Sequence, residues 1–138
     1  MPTMTAAQKR ARAKNEYDAF LAGCPSRELL DRISDKWVAL LIAALAGDLP
    51  AREPGPLRYS ELSRQVVGVS QKMLTQTLRS LERDGLVTRT VTPTVPVTVT
   101  YDLTDLGRSL QTVMRQLKSW AEQHMDEVFA HREAYDAG

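Results

Sequence analysis

The chain carries a single cysteine, Cys24, so no disulfide can form within it. Such sparing use of cysteine points to a reducing cytosol and a cytoplasmic protein. Long apolar runs are missing too: no stretch approaches the roughly 18 residues that a membrane span needs. Lys9, Arg10, Arg12 and Lys14 charge the N-terminus, but no apolar segment accompanies them, which argues against a signal peptide. Histidine is scarce. His124 and His131 stand seven residues apart with Glu127 between them, and no second cluster completes a metal site. There is no Gly-rich phosphate loop, internal repeat or low-complexity tract. Asp102 and Asp105 flank Thr104 as neighbours of a helix cap, not as an acid–base pair. These absences argue against an enzyme and predict neither metal nor cofactor.

What is present suits one globular domain with a single core: 138 residues, 43% of them hydrophobic, with a net charge of +1. The near-neutral total hides an asymmetry. Between Leu57 and Thr92 the bases Arg58, Arg64, Lys72, Arg79, Arg83 and Arg89 face only Glu61, Glu82 and Asp84. From Tyr101 onward acids outnumber bases. A basic middle and an acidic tail fit a chain that meets a polyanion with one part and itself with another.

The stretch Ser70 to Val87 (SQKMLTQTLRSLERDGLV) organises the rest. Ser70 is a plausible N-cap, and Leu74, Leu78 and Leu81 share one side of a 3.6-residue period. Lys72, Gln76, Arg79 and Arg83 fall on the far side, flanked by Thr75 and Ser80. Asp84-Gly85 ends the helix. Ahead of it, Thr5 to Leu21 reads as a helix whose only large apolar residues, Tyr17, Phe20 and Leu21, need a partner. Cys24-Pro25-Ser26 is a break, with either Ser26 as N-cap or Pro25 at the first helical position of a helix carrying Leu29, Leu30 and Ile33. Lys36 to Ala46 is apolar almost all round, which places Trp37, Leu40, Leu41 and Leu45 at the centre of the core. Asp48 to Pro56 reads as an exposed, mobile loop. Leu57-Arg58-Tyr59 can form a short strand, and Ser60 caps a helix from Glu61 to Val66. A Gly-containing turn, Val67-Gly68-Val69, then makes a helix-turn-helix.

After Gly85 the period changes to 2. Val87 to Thr92 and Val97 to Asp102 are β-branched alternating runs around Pro93-Thr94-Val95-Pro96, a hairpin with a proline-stiffened tip. Thr104 caps a last helix, Asp105 to about His131. Its apolar side runs Leu106, Leu110, Val113, Leu117, Trp120, His124, Val128, widened by Met114, Ala121 and Met125, and is close to a heptad seam. A lone domain rarely needs so long an apolar face, so this is expected to be a dimerisation helix; folding back on its own core is the alternative.

The fold predicted is mainly α with a small β-hairpin wing, a winged helix-turn-helix (α+β) with N- and C-terminal helices forming a dimer interface. Residues 1–23 are the N-terminal arm, 24–103 the DNA-binding domain and 104–138 the dimerisation helix. The second helix of the motif (70–84) enters a major groove about 12 Å wide, and the wing (87–103) lies on flanking backbone or minor groove. Lys72, Thr75, Gln76 and Arg79 are assigned to the groove, and Arg58, Ser60, Arg83 and Arg89 to phosphates. Thr92 and Thr94 shape the wing tip.

CPSRELLDRISDKWVALLIAAL, RYSELSRQVVGVSQKMLTQTLRSLERDGLVTRTV and VPVTVTYDLTDLGRSL resemble the HxlR-type family of winged-helix transcription regulators. The motifs are specific: Cys-Pro ahead of a Lys-Trp helix, Ser-x-Lys-x-Leu-Thr-x-x-Leu, Asp-Gly-Leu-Val, and Tyr-x-Leu-Thr-x-x-Gly after the wing. The resemblance covers about Cys24 to Trp120. It implies a homodimeric, cytoplasmic bacterial regulator of a palindromic double-stranded operator, repression being the commoner outcome. It implies that Ser70, Gln71, Lys72 and Gln76 lie on the DNA-facing helix. Gly47 to Pro56 departs from the pattern, where members usually have a shorter turn.

Cys24 precedes a proline beside an expected helix N-terminus, where the dipole favours thiolate, with Arg27 one turn away. Some members of the family use a cysteine here to sense oxidants, and with no second cysteine the product is an intersubunit disulfide or a capped thiol. Two alternatives stay open: a small-molecule effector with an inert Cys24, and a winged helix used only for protein–protein contact.

Overall fold

A computed structural model describes residues 3–49 and 53–138. The chain divides into two compact units, residues 1–35 and 36–138. In the first, α1 (Ala6–Ala22) starts in a capping box: the Thr5 hydroxyl accepts from the Gln8 N–H at 3.1 Å, and the Gln8 side chain accepts from the Thr5 N–H at 2.8 Å. Tyr17 and Phe20 are exposed on it. α2 (Pro25–Ile33) follows with Cys24 as N-cap residue and Pro25 at the first helical position, so of the two starts considered, the proline start is the one adopted.

The second unit is built on α3 (Lys36–Leu45), which lies against α5, α6 and the sheet. Val38, Leu41, Ile42, Ala44 and Leu45 are its buried side. Leu40, expected at the centre of the core, is instead 38% exposed, and Trp37 is only partly covered. A ten-residue helix that is apolar all round still buries only the faces its neighbours reach, and Val38 and Ile42 take those. The loop after α3 is not the free segment expected. Asp48 is tied to the last helix by Arg115, and Gly55 donates to the Leu45 carbonyl at 3.4 Å. Residues 50–52, with Pro50 of the proline-rich run, lie outside the described residues.

β1 (Leu57–Arg58) passes directly into α4 (Tyr59–Gln65). Ser60 is therefore not the cap. Arg58 holds that position, and Glu61, three residues on, accepts its backbone N–H at 3.0 Å. α5 (Gln71–Arg83) is capped by the Ser70 hydroxyl, 3.1 Å from the Met73 N–H. Leu74, Leu78 and Leu81 are buried as expected, each worth about 1.5–3 kcal/mol of transfer. The helix ends at Asp84 in a Schellman arrangement: Gly85 takes φ +75°, and the Leu86 N–H reaches the Leu81 carbonyl at 3.0 Å.

β2 (Val87–Thr92) and β3 (Thr98–Leu103) form the wing, with Val87 opposite Leu103 and Thr92 opposite Thr98. β1 adds to the other edge of β3, giving an antiparallel sheet ordered β1-β3-β2. The second strand starts at Thr98, not Val97, because Thr94 closes the tip first. Its hydroxyl donates to the Pro96 carbonyl at 2.8 Å and meets the Thr98 hydroxyl at 3.0 Å. This is the helix-turn-helix and wing that the residue pattern predicts.

α6 (Asp105–Ala137) runs 33 residues, past the expected His131, about 50 Å at ~1.5 Å per residue. Its start is locked onto the junction of α5 and the wing. The Thr104 hydroxyl donates to the Gly85 carbonyl at 2.6 Å and accepts from the Gly107 N–H at 3.0 Å, while the Thr104 N–H reaches Leu86 O at 3.1 Å. Gly107 sits so close that a Cβ there would lie 2.2 Å from the Leu86 carbonyl oxygen. Only Gly107 and Gln111 of this helix are buried.

Candidate nucleic-acid interface

α5 divides cleanly into two sides. Opposite its buried leucines, Gln71, Lys72, Gln76, Arg79 and Arg83 are exposed, as is Ser70 at the cap. Lys and Arg project flexible cationic heads that reach phosphate oxygens and the O6/N7 edge of guanine, and a Gln amide can pair with adenine.

Between α5 and the wing lies a cleft of about 380 Å³ lined by Tyr59, Thr75, Arg79, Glu82, Arg89 and Tyr101. It unites three of the expected contact residues, Thr75 and Arg79 from α5 and Arg89 from β2, where Arg89 stands opposite Tyr101. Arg58, Ser60 and Arg83 are exposed but do not line that cleft. Arg58 is also engaged: its Nε lies 3.3 Å from Glu61 Oε1, an exposed pair of little energetic weight. Thr92 and Thr94 lie on the exposed wing, with the Thr94 hydroxyl committed to the turn.

Sequence reasoning missed Tyr59. Its hydroxyl donates to the Gln71 carbonyl at 3.0 Å and lies 3.3 Å from Thr75 Oγ1, tying the first helix of the motif to the second. The only signal is a tyrosine at the start of a short helix, whose phenol needs a partner once its ring is half-buried.

Cys24, half-buried ahead of α2, has its thiol held below the ordinary cysteine range. The main cause is the backbone N–H of Arg27, then that of Ser26, against an opposing effect of desolvation. The Arg27 guanidinium, one turn away, is not the agent; the helix terminus is.

Along α6 the expected apolar seam separates into two. Leu110 and Met114 pack on the core of their own unit, so Leu110 belongs inside rather than on a seam. Val113, Leu117, Trp120 and Phe129 are each about half exposed, and Val128 is partly covered. The His124 ring lies against Trp120, centroids 4.8 Å apart, and His131 is 3.8 Å from Glu127. Gln111 and Arg115, on the adjoining side, both reach Asp48. Among the described residues no helix is long and apolar enough to cross a membrane.

A family model described as HxlR-like helix-turn-helix matches residues 32–129. The chain is 41% identical over 118 residues to the HTH-type transcriptional regulator YtfH of Escherichia coli, covering 86% of this chain and 88% of that one. Among solved structures, it is similar to the reduced form of the transcriptional regulator YodB from B. subtilis. That likeness has a TM-score of 0.63 at 36% identity, over 73% of this chain and 93% of YodB. The redox regulator HypR in its reduced form matches with a TM-score of 0.67 at 36% identity, over 78% of this chain and 99% of HypR.

Proposed function

We propose that this chain, which belongs to the HxlR-like helix-turn-helix family of transcription regulators, is a homodimeric repressor that sets α5 into the major groove of a palindromic operator. The observation that carries this reading is the division of α5: buried leucines on one side, and Lys72, Gln76 and Arg79 exposed on the other, with Arg79 sharing a cleft with Arg89 of the wing. Thr75 joins them at the groove, the wing follows flanking backbone or minor groove, and Arg58, Ser60 and Arg83 meet phosphates. The half-exposed Val113, Leu117 and Trp120 on a helix about 50 Å long support α6 as the pairing surface, with Tyr17, Phe20 and Leu21 of α1 as a second contribution.

Gel shift against the DNA upstream of its own gene tests this. With six or more phosphates neutralised, affinity falls by about 10³ or more between 50 and 200 mM salt. Lys72→Ala and Arg79→Ala each weaken binding by about 1–3 kcal/mol. A salt-indifferent complex, or full affinity in the double variant, refutes the assigned face and favours a protein partner.

A redox signal through Cys24 is part of the proposal. It is supported by the lowered thiol pKa at the α2 terminus and by the likeness to HypR, itself a redox regulator. Oxidant is expected to release the wild-type protein from DNA and to leave Cys24→Ser bound. An equal response in both points instead to a small-molecule effector, for which a groove of about 270 Å³ between α3 and α6, floored by Leu40, Ala43 and Met114, offers space.

A further inference from the structure

We infer that Tyr59 is a positioning residue that fixes the polarity of the Thr75 hydroxyl, so that the base facing Thr75 is read as an adenine or a cytosine. The inference rests on the placement of α5 in the major groove and follows from counting hydrogens. A phenol carries one hydrogen. The Tyr59 oxygen lies 3.0 Å from the Gln71 carbonyl oxygen, which can only accept, so that hydrogen is given to Gln71. The 3.3 Å contact between Tyr59 and Thr75 then closes only if the threonine hydroxyl is the donor. The relay runs Thr75 to Tyr59 to Gln71. It leaves Thr75 with lone pairs and no hydrogen to offer a base.

That sign matters in the major groove. Adenine N6 and cytosine N4 present amino donors there, while guanine O6 and N7 and thymine O4 are acceptors. A free threonine hydroxyl rotates to suit either class, which is why Ser and Thr are ordinarily poor discriminators. With its hydrogen held by Tyr59, Thr75 accepts from adenine or cytosine, and its lone pairs repel the carbonyl edges of guanine and thymine. Thr75 lines the cleft with Arg79, so the fixed hydroxyl and the guanidinium address neighbouring features of the same duplex. Tyr59 needs no contact with DNA to do this.

The test selects binders for the full-length chain from a library of duplexes with about 20 randomised base pairs, about two helical turns. Wild type, Tyr59→Phe, Thr75→Val and Thr75→Ser are compared at one salt concentration. Wild type is expected to favour adenine or cytosine at one symmetric pair of positions. Tyr59→Phe and Thr75→Val flatten that preference by about three- to tenfold, the worth of one hydrogen bond, and leave the rest of the motif intact. Thr75→Ser, which keeps the hydroxyl, retains it. An unchanged motif in Tyr59→Phe overturns the inference. So does a uniform loss of affinity over all sequences, the mark of a merely structural tyrosine. A guanine or thymine preference at the position that Thr75→Val erases overturns it as well. If the wild-type protein enriches no motif, the DNA reading itself falls and the relay falls with it.

Discussion

Replacing Asp48 by alanine should cost more than any surface ion pair would, because of what it strands. Asp48 receives a forked contact from Arg115, whose Nη2 lies 2.8 Å from Oδ1 and whose Nε lies 3.0 Å from Oδ2. The Arg115 side chain is 52% exposed, so this pair alone is worth about 0.5–1 kcal/mol. The same carboxylate also accepts from the Gln111 side-chain amide, and Gln111 is only 4% exposed with its Oε1 unpartnered. Without Asp48 that buried amide loses its acceptor as well, adding about 1–3 kcal/mol. Asp48→Ala is therefore expected to lose about 1.5–4 kcal/mol in urea unfolding at fixed protomer concentration, and Arg115→Ala no more than about 1. In a Gln111→Leu background the cost of Asp48→Ala should shrink to the pair alone, because no buried donor is left to strand. The hydrogen bond from Arg115 is the main cause holding the Asp48 carboxyl below its usual range. A depressed folded-state pKa gives stability that is present above the unfolded value and lost as pH falls through the folded one. The gap between wild type and Asp48→Asn should thus be full above about pH 5 and close below about pH 4. An undiminished cost of Asp48→Ala beside Gln111→Leu, or a gap that persists in acid, refutes the reasoning.

Gly107→Ala raises helix propensity by about 1 kcal/mol yet is expected to destabilise by about 1–3, because the new methyl meets the Leu86 backbone rather than a yielding side chain; chemical denaturation gives the sign. Leu117→Asp, at a half-exposed site on α6, should convert a dimer into monomers in light scattering without unfolding the second unit. Iodoacetamide alkylation of Cys24 should have its pH midpoint below the ordinary thiol value of about 8.5. Arg27→Ala should barely move that midpoint, since the backbone N–H that lowers it remains; a large rise would restore the guanidinium as the cause.

The helix-turn-helix, the wing and the exposed side of α5 were legible because each is a matter of period. Three leucines at helical spacing and two β-branched runs at spacing 2 declare their buried sides locally. Where every direction around a helix is apolar, period says nothing, and it does not separate Leu40 from Val38 and Ile42, which are the buried ones. The long stripe of α6 is a related case: spacing groups Leu110 with Val113, yet Leu110 turns to its own core and Val113 does not. Asp48 and Arg115 stand 67 positions apart, and no local pattern links them. The cap of α4 is not legible at Arg58 because a glutamate reaching back to a backbone N–H frees that position from needing Ser, Thr, Asp or Asn. Tyr59 escaped notice because the proton order of a hydroxyl chain exists only once its members are brought together.

The welded joint at Gly85 and Leu86 makes α6 a stiff lever. The end of α5, the first wing strand and the first turn of the long rod share carbonyls within two residues, with no slack between them. Over the roughly 18 Å of rod between Asp105 and Leu117, a tilt of about 11° becomes a displacement of about 3.4 Å, one base-pair step. If two such rods cross near Leu117 in a dimer, a change of that angle at the crossing carries the two reading heads out of step with the duplex.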